Sequence, residues 1–244
     1  MNKNLMPESR TMNFQPFVLK AIIEESAEVR TFRFTKQDGS VPAYQPGHFF
    51  LLRLPGEDGK PQQRSYSVAS HPDEDTLAFC IKLKGAFTHL LWKLKSGDTV
   101  EIDGPYGIFL LNPADTERIF VGGGVGISAL RSMILQTVKH DNKRAWLFHS
   151  ARQFDGLTYF SEMKNLAKEY PLFKFNSCVT GEEKPAGWNG YCERISVPML
   201  KQVLGSLSDK TFYLCGSKEM ASGLAAALMA DGVPKERIKK DEWA

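Results

Sequence analysis

The feature that most constrains this chain is a change of hydrophobic rhythm at Asn112-Pro113. Before that point the apolar residues recur every second position. Phe17, Leu19, Ala21 and Ile23 alternate with less apolar neighbours, and Leu77, Phe79, Ile81 and Leu83 do so with Ala78, Cys80, Lys82 and Lys84 between them. A period of two places one set of side chains on each face of a strand. Asp38-Gly39, Gly56-Glu57-Asp58-Gly59 and Ser96-Gly97-Asp98 punctuate these runs as turns. Many short strands of this kind predict an antiparallel barrel or sandwich, interrupted by one helix near Phe87 to Lys95.

After Asn112-Pro113 strands and helices take turns. Ile119-Phe120-Val121 runs into glycines, and Ile127, Leu130, Ile134 and Val138 then share a helical face. A strand over Ala145 to Phe148, a helix over Tyr159 to Lys168 and a strand over Phe173 to Val179 follow. Beyond a loop rich in Gly and Pro, Phe212-Tyr213-Leu214 precedes a helix carrying Met220, Leu224 and Leu228. Such alternation implies a parallel sheet. The expected organisation is a polar extension over residues 1–13, an antiparallel β-barrel domain over 14–113 and a parallel-sheet α/β nucleotide-binding domain over 114–244.

Size and composition bound the function. A chain of 244 residues with 42% hydrophobic and 24% charged residues has the balance of a soluble globular protein. Met1 to Asn13 is too polar for a signal peptide or a membrane span, so a cytoplasmic location is expected, with no membrane association. A formal charge of +3 is too small to argue for nucleic acid. The four cysteines, Cys80, Cys178, Cys192 and Cys215, form no C-x-x-C pair and no iron–sulfur spacing. The five histidines, including His149, show no metal-ligand spacing and read as surface or satisfied residues. No metal is expected, so any redox centre is an organic cofactor.

Three short elements in the first half bear on that cofactor. Arg64-Ser65-Tyr66-Ser67 reads as lying within an apolar stretch, and alone it fits an ordinary strand with a surface arginine. Ile81-Lys82-x-x-Gly85-x-Phe87-Thr88 ends a strand and opens a helix, where backbone N–H groups can hold a phosphate or where Gly85 and Thr88 simply cap the helix. Gly104-Pro105-Tyr106-Gly107 is placed just beyond the last barrel strand.

In this order and spacing, R-x-Y-S, K-x-x-G-x-F-T and G-P-Y-G resemble the ferredoxin–NADP(+) reductase family, over roughly residues 14 to 244. The resemblance implies an FAD-binding barrel in front of an NAD(P)-binding domain. It gives Arg64 to the flavin pyrophosphate, a role suited to a bidentate guanidinium. It packs Tyr66 against the isoalloxazine, sets Ser67 near flavin N5, and completes the cradle with Ser65, Lys82, Gly85, Phe87 and Thr88.

In the second half, Val121-Gly122-Gly123-Gly124-Val125-Gly126-Ile127-Ser128 is a Gly-rich strand-to-helix turn of the kind that admits a pyrophosphate. It departs from G-x-G-x-x-G because Ile127 stands at the third glycine, and it matches the G-G-G-V-G-I of the resembled family. At the end of the second strand, Ser150 and Arg152 tilt the choice slightly toward NADP(H) over NAD(H), since arginine accommodates a 2′-phosphate. Tyr213-Leu214-Cys215-Gly216-x-x-x-Met220 matches a further family element. There the resemblance sets Cys215 beside the nicotinamide C4, with a buried structural cysteine as the plain alternative. The chain ends Asp241-Glu242-Trp243-Ala244, polar enough to fray. Family members end in an aromatic and a carboxylate against the flavin, which would be Trp243 with Asp241 or Glu242.

The expectation is a flavin-dependent oxidoreductase that passes a hydride from NAD(P)H to FAD and then single electrons to a separate ferredoxin or flavodoxin-like carrier. The reductase component of an oxygenase, a free-flavin reductase, an FAD-binding electron-transfer subunit of a larger complex and a non-enzymatic nucleotide-binding module remain as alternatives.

Overall fold

The structure, a computed structural model, describes residues 11–181, 183–184 and 186–243. Most of the expected N-terminal extension, residues 1–10, lies outside the described residues, as does Ala244. The chain divides into two compact units. One runs up to Leu110 and takes in Arg131–Met133; the other comprises Leu111–Leu130 and the chain from Ile134 onward.

The first unit is a six-stranded antiparallel sheet. Its strands are β1 (Gln15–Ser26), β2 (Val29–Lys36), β3 (Phe49–Pro55), β4 (Pro61–Ser67), β5 (Leu77–Lys82) and β6 (Thr99–Tyr106), in the order β4-β3-β6-β1-β2-β5. Beyond the end of β4, the Val68 N–H donates to the His48 carbonyl and the Ala69 N–H to the Ala78 carbonyl of β5, so the chain bridges toward the opposite edge. Phe17, Leu19, Phe32, Phe34, Phe50 and Phe79 fill the interior, each fully buried side chain contributing about 1.5–3 kcal/mol of apolar transfer.

Three details differ from the expected pattern. The alternation of β1 breaks at a register shift between Leu19 and Ala21. Past it Ile22 packs on the core and Ile23 is left exposed, because one extra residue in a bulge exchanges the two faces of a strand. The Arg64-Ser65-Tyr66-Ser67 segment is not apolar: β4 is a polar edge strand with Arg64 and Ser65 exposed. Gly104-Pro105-Tyr106 belongs to β6 itself. A Cβ at Gly104 would fall 2.3 Å from Phe50 Cδ1, and the buried Tyr106 hydroxyl donates to Asp103 at 2.6 Å.

The second unit is a five-stranded parallel sheet of β7 (Glu117–Gly123), β8 (Arg144–Ala151), β9 (Phe173–Val179), β10 (Thr211–Ser217) and β11 (Ile238–Trp243). Helix α1 (Ala86–Trp92) belongs to the first unit; α2 (Ile127–Leu135), α3 (Phe160–Glu169), α4 (Val197–Leu204) and α5 (Lys218–Ala230) follow in the chain. The loop expected between β9 and β10 contains α4, whose start is marked by Ser196 accepting the Met199 N–H and by Pro198 in the first turn. The polar tail does not fray. It pairs with β10 from Phe212↔Ile238 to Ser217↔Trp243.

The strand order β11-β10-β7-β8-β9 means that the chain winds outward from β7 to β9, then returns to the other side of β7. That reversal leaves a crevice at the carboxyl ends of β7 and β10, where ligands bind in open parallel sheets.

Candidate functional site

In the first unit the residues expected around a flavin gather at the exposed end of β4 and the start of α1. The Tyr66 ring stacks on Phe87, with centroids 6.1 Å apart and an interplanar angle of 26°. The Arg64 guanidinium lies 5.8 Å from the same Phe87 ring. Burial pushes the Tyr66 phenol above its ordinary pKa, against a smaller pull from Arg64, so it stays protonated. Arg64 bonds only the carbonyl of Gln63, at 2.7 Å, and has no carboxylate partner among the described residues. Gly85 sits at φ +85 with nothing within 4 Å of an added Cβ, a backbone state cheap only for glycine. Thr88 caps locally, donating to the Gly85 carbonyl at 2.9 Å and accepting the Lys84 N–H at 2.7 Å.

Ser67 pairs with Phe49 across the β3–β4 ladder. Lys82 does not join this group: its Nζ pairs with Glu28 on the surface at 3.1 Å. An unpaired arginine beside an aromatic stack and an open glycine corner fits a dinucleotide carrying both a pyrophosphate and a flat ring. FAD has that chemistry.

In the second unit the Gly-rich turn reaches across the switch point. A Cβ at Gly126 would lie 2.2 Å from the Cys215 carbonyl oxygen and 2.9 Å from the Trp243 ring. Met220 covers the neighbouring strand ends, its Cε 2.9 Å from a Cβ at Gly123 and 2.2 Å from one at Gly216. Gly123, Gly126, Cys215, Gly216, Met220 and Trp243 therefore pack together, with Gly126 closed off by the β10 backbone and Gly123 and Gly216 by the Met220 side chain, whereas a Cβ at Gly122 would meet Leu130 and Ile127 instead. Gly124 differs: at φ +51 an added Cβ would meet nothing within 4 Å.

Replacing Gly126 with alanine is expected to push the turn away from β10 and to cost about 1–3 kcal/mol. Thermal melting of the variant checks this; an unchanged melting temperature would contradict the packing.

Cys215 is fully buried, and burial with Asp241 beside it raises its thiol well above the ordinary cysteine value. A thiol so placed stays protonated and compact. Asp241 pairs with Cys215 across the β10–β11 ladder, whereas Glu242 accepts from Ser222 of α5 at 2.6 Å and from Lys240 at 3.1 Å. Successive residues of a strand face opposite sides. The carboxylate beside Cys215 is thus Asp241, and Glu242 belongs to the α5 side.

At the end of β8, Ser150 pairs with Gly123 and Arg152 is exposed. Arg152 lines a surface cleft of about 610 Å³ with Thr180, Cys192, Glu193 and Arg194. Arg194 and Thr180 escape sequence reasoning because they sit in loops with no motif. The reading of every histidine as surface or satisfied also needs correcting for His149, which is fully buried with its Nδ1 unpartnered.

Two family models match the chain in series. The oxidoreductase FAD-binding domain matches residues 16–110 and the oxidoreductase NAD-binding domain residues 120–225. Among curated relatives, a component of the Na(+)-translocating NADH-quinone reductase from Yersinia enterocolitica, named as one of its subunits, is 28% identical over 248 residues, covering 93% of this chain and 60% of the relative. The corresponding Klebsiella pneumoniae protein is 28% identical over 212 residues, covering 80% of this chain and 52% of the relative. The chain thus spans little more than half the length of these relatives.

Two solved structures share the fold. The flavohem-like FAD/NAD-binding domain of nitric oxide dioxygenase from Vibrio cholerae has a TM-score of 0.81 at 22% identity, covering 94% of this chain and 98% of the other. A ferredoxin NADP+ reductase from Neisseria gonorrhoeae has a TM-score of 0.79 at 22% identity, with the same coverage of 94% and 98%.

Proposed function

The chain belongs to the ferredoxin reductase-like family of FAD- and NAD-binding oxidoreductases, and from that premise we propose that it takes a hydride from NAD(P)H onto bound FAD and hands the electrons singly to a separate carrier such as ferredoxin or flavodoxin. The observation that carries this reading is the packing of Gly126 and Met220 on Cys215 and Gly216 at the strand-order reversal. It forms a neutral, closely walled crevice edge of the kind that takes a dinucleotide.

FAD supplies the change from two-electron to one-electron transfer, chemistry that belongs to the cofactor. The chain's own residues bind and orient. Arg64 meets the pyrophosphate, the Tyr66–Phe87 stack offers a flat apolar surface, and Ser67 hydrogen-bonds near the ring. The Gly122–Gly126 turn takes the phosphates of the nicotinamide dinucleotide. Cys215, held neutral, excludes water without titrating, while Asp241 and Trp243 border the same corner. Arg152 and Arg194 in one cleft favour NADPH, and Glu193 in that cleft keeps the margin small. The carrier is reached by diffusion, in the cytoplasm. No helix among the described residues is long and apolar enough to cross a membrane.

Stopped-flow mixing of the flavin-loaded protein with NADPH and with NADH tests the first half of the reaction. Both are expected to bleach the flavin, NADPH at the lower half-saturating concentration. Protein that keeps no flavin after FAD is added, or flavin that neither dinucleotide bleaches, would sink the proposal. Turnover with ferredoxin, flavodoxin, cytochrome c and free flavin then separates a carrier reductase from an oxygenase component or a flavin reductase.

A second reading has its own support. The curated relatives are named as subunits, so the chain is alternatively an FAD-binding electron-transfer subunit of a larger assembly. Flavin bleaching without turnover on any diffusible carrier would favour it.

A further inference from the structure

His149 lies at the carboxyl end of β8, paired with Gly122 of β7 and Ser177 of β9, and is fully buried. Its ring sits beneath the Gly-rich turn. Nε2 is 2.9 Å from the Gly124 carbonyl oxygen, and Cδ2 would be 3.6 Å from a Cβ at Gly122. A carbonyl oxygen only accepts, so Nε2 carries the proton and Nδ1 is left as a bare lone pair. Among the described residues nothing bonds that lone pair. Burial pushes the imidazole pKa down to about 4, the Gly124 bond offsetting only part of this. The ring is therefore neutral at physiological pH, in one tautomer.

A buried, half-satisfied histidine costs stability, and an apolar side chain would avoid that cost. Its use lies in the peptide it holds. In a trans peptide the carbonyl of Gly124 and the N–H of Val125 point in opposite directions. Fixing the carbonyl on His149 fixes the Val125 N–H facing away from His149. The Ile127 N–H also reaches Gly124 O, through a 3₁₀ bond of poorer geometry. Gly124, at φ +51 with open space around it, does little sterically to stop the peptide from flipping. A flipped peptide would turn a carbonyl dipole toward a bound phosphate and an N–H away from it.

We propose that His149 is a positioning residue for the nicotinamide dinucleotide, its Nε2–H locking the Gly124–Val125 peptide so that an N–H and not a carbonyl meets the pyrophosphate. This rests on the Gly-rich turn being the dinucleotide site.

The test uses the flavin-loaded protein with His149→Leu, which removes the donor, and His149→Gln, whose amide N–H can replace Nε2–H. Calorimetric titration with NAD+ and NADP+ is expected to show roughly three- to tenfold weaker binding in His149→Leu, the size of one net hydrogen bond. Both ligands should shift by the same factor, because both carry the pyrophosphate. His149→Gln should return to within about twofold of the parent. In turnover with an artificial acceptor, KM for the reduced dinucleotide should rise in His149→Leu while kcat holds.

Imidazole ¹⁵N shifts of the parent protein should report the Nε2–H tautomer, a readout independent of any variant's folding. Equal binding by parent and His149→Leu, a His149→Gln as weak as His149→Leu, or an Nδ1–H tautomer would each overturn the proposal while leaving the proposed function standing. A parent that binds neither NAD+ nor NADP+ would remove both.

Discussion

Arg64→Ala is expected to be purified largely without flavin. The side chain is exposed on an edge strand and bonds only the Gln63 carbonyl, so its loss costs the fold within about 0.5 kcal/mol, as for other surface positions. Against a pyrophosphate the same guanidinium would make charge-assisted, bidentate bonds worth roughly 1.5–3 kcal/mol. Its loss should weaken FAD binding by about 10- to 100-fold. Titrating apoprotein with FAD while following flavin fluorescence gives the ratio directly. Arg64→Lys should fall between, since an ammonium keeps the charge and loses the fork. Equal FAD affinity in the parent and Arg64→Ala would remove Arg64 from the cofactor site.

That prediction rests on a residue legible in the sequence, and the reason is general. Arg64, the Gly-rich turn and Cys215 lie in short contiguous motifs, and the rhythm change at Asn112-Pro113 separates two kinds of sheet. What stayed hidden depends on pairing across the chain. Whether β1 keeps its face beyond Leu19 is decided by its register with β2, which local alternation does not encode. The fate of the tail is decided by the β10 edge it covers, and with it the choice of Asp241 over Glu242 beside Cys215. Lys82 stands inside a motif, but its ion pair with Glu28, 54 positions earlier in the numbering, comes from strand pairing that the motif does not encode. Arg194 and His149 carry no motif, and only the fold brings them to Arg152 and to Gly124.

Arg118 is the most consequential residue that sequence reasoning passed over, and Arg118→Met should be the most destabilising of these substitutions. Its side chain is 1% exposed. It donates to Thr137 at 2.8 Å, to the Asn112 carbonyl at 3.1 Å, and to Asp141. Its Nε lies 3.7 Å from Asp115, a buried carboxylate that also accepts from Thr211 and Tyr213. Methionine fills the volume but leaves Asp115 buried without a cation, a loss of about 3–5 kcal/mol. For a unit of this size that lowers the melting temperature by roughly 10 °C or more.

Adding Asp115→Asn should recover part of the loss, because it removes the unpaired buried charge while the single amide oxygen keeps one of the two bonds that Thr211 and Tyr213 make to separate carboxylate oxygens. Acid should also narrow the gap between Arg118→Met and the parent. Burial raises the Asp141 pKa, but the bonds from Gln136 and Arg118 outweigh it and hold the carboxyl below its ordinary value of 3.8. A carboxyl depressed in the folded state stabilises fully above its unfolded pKa, and that stability disappears as pH falls through the folded value. Melting curves from neutral pH down to below pH ~4 should therefore converge for parent and variant as Asp141 is protonated. A gap that stays constant into acid would mean that the charge of Asp141 contributes nothing to the effect of Arg118.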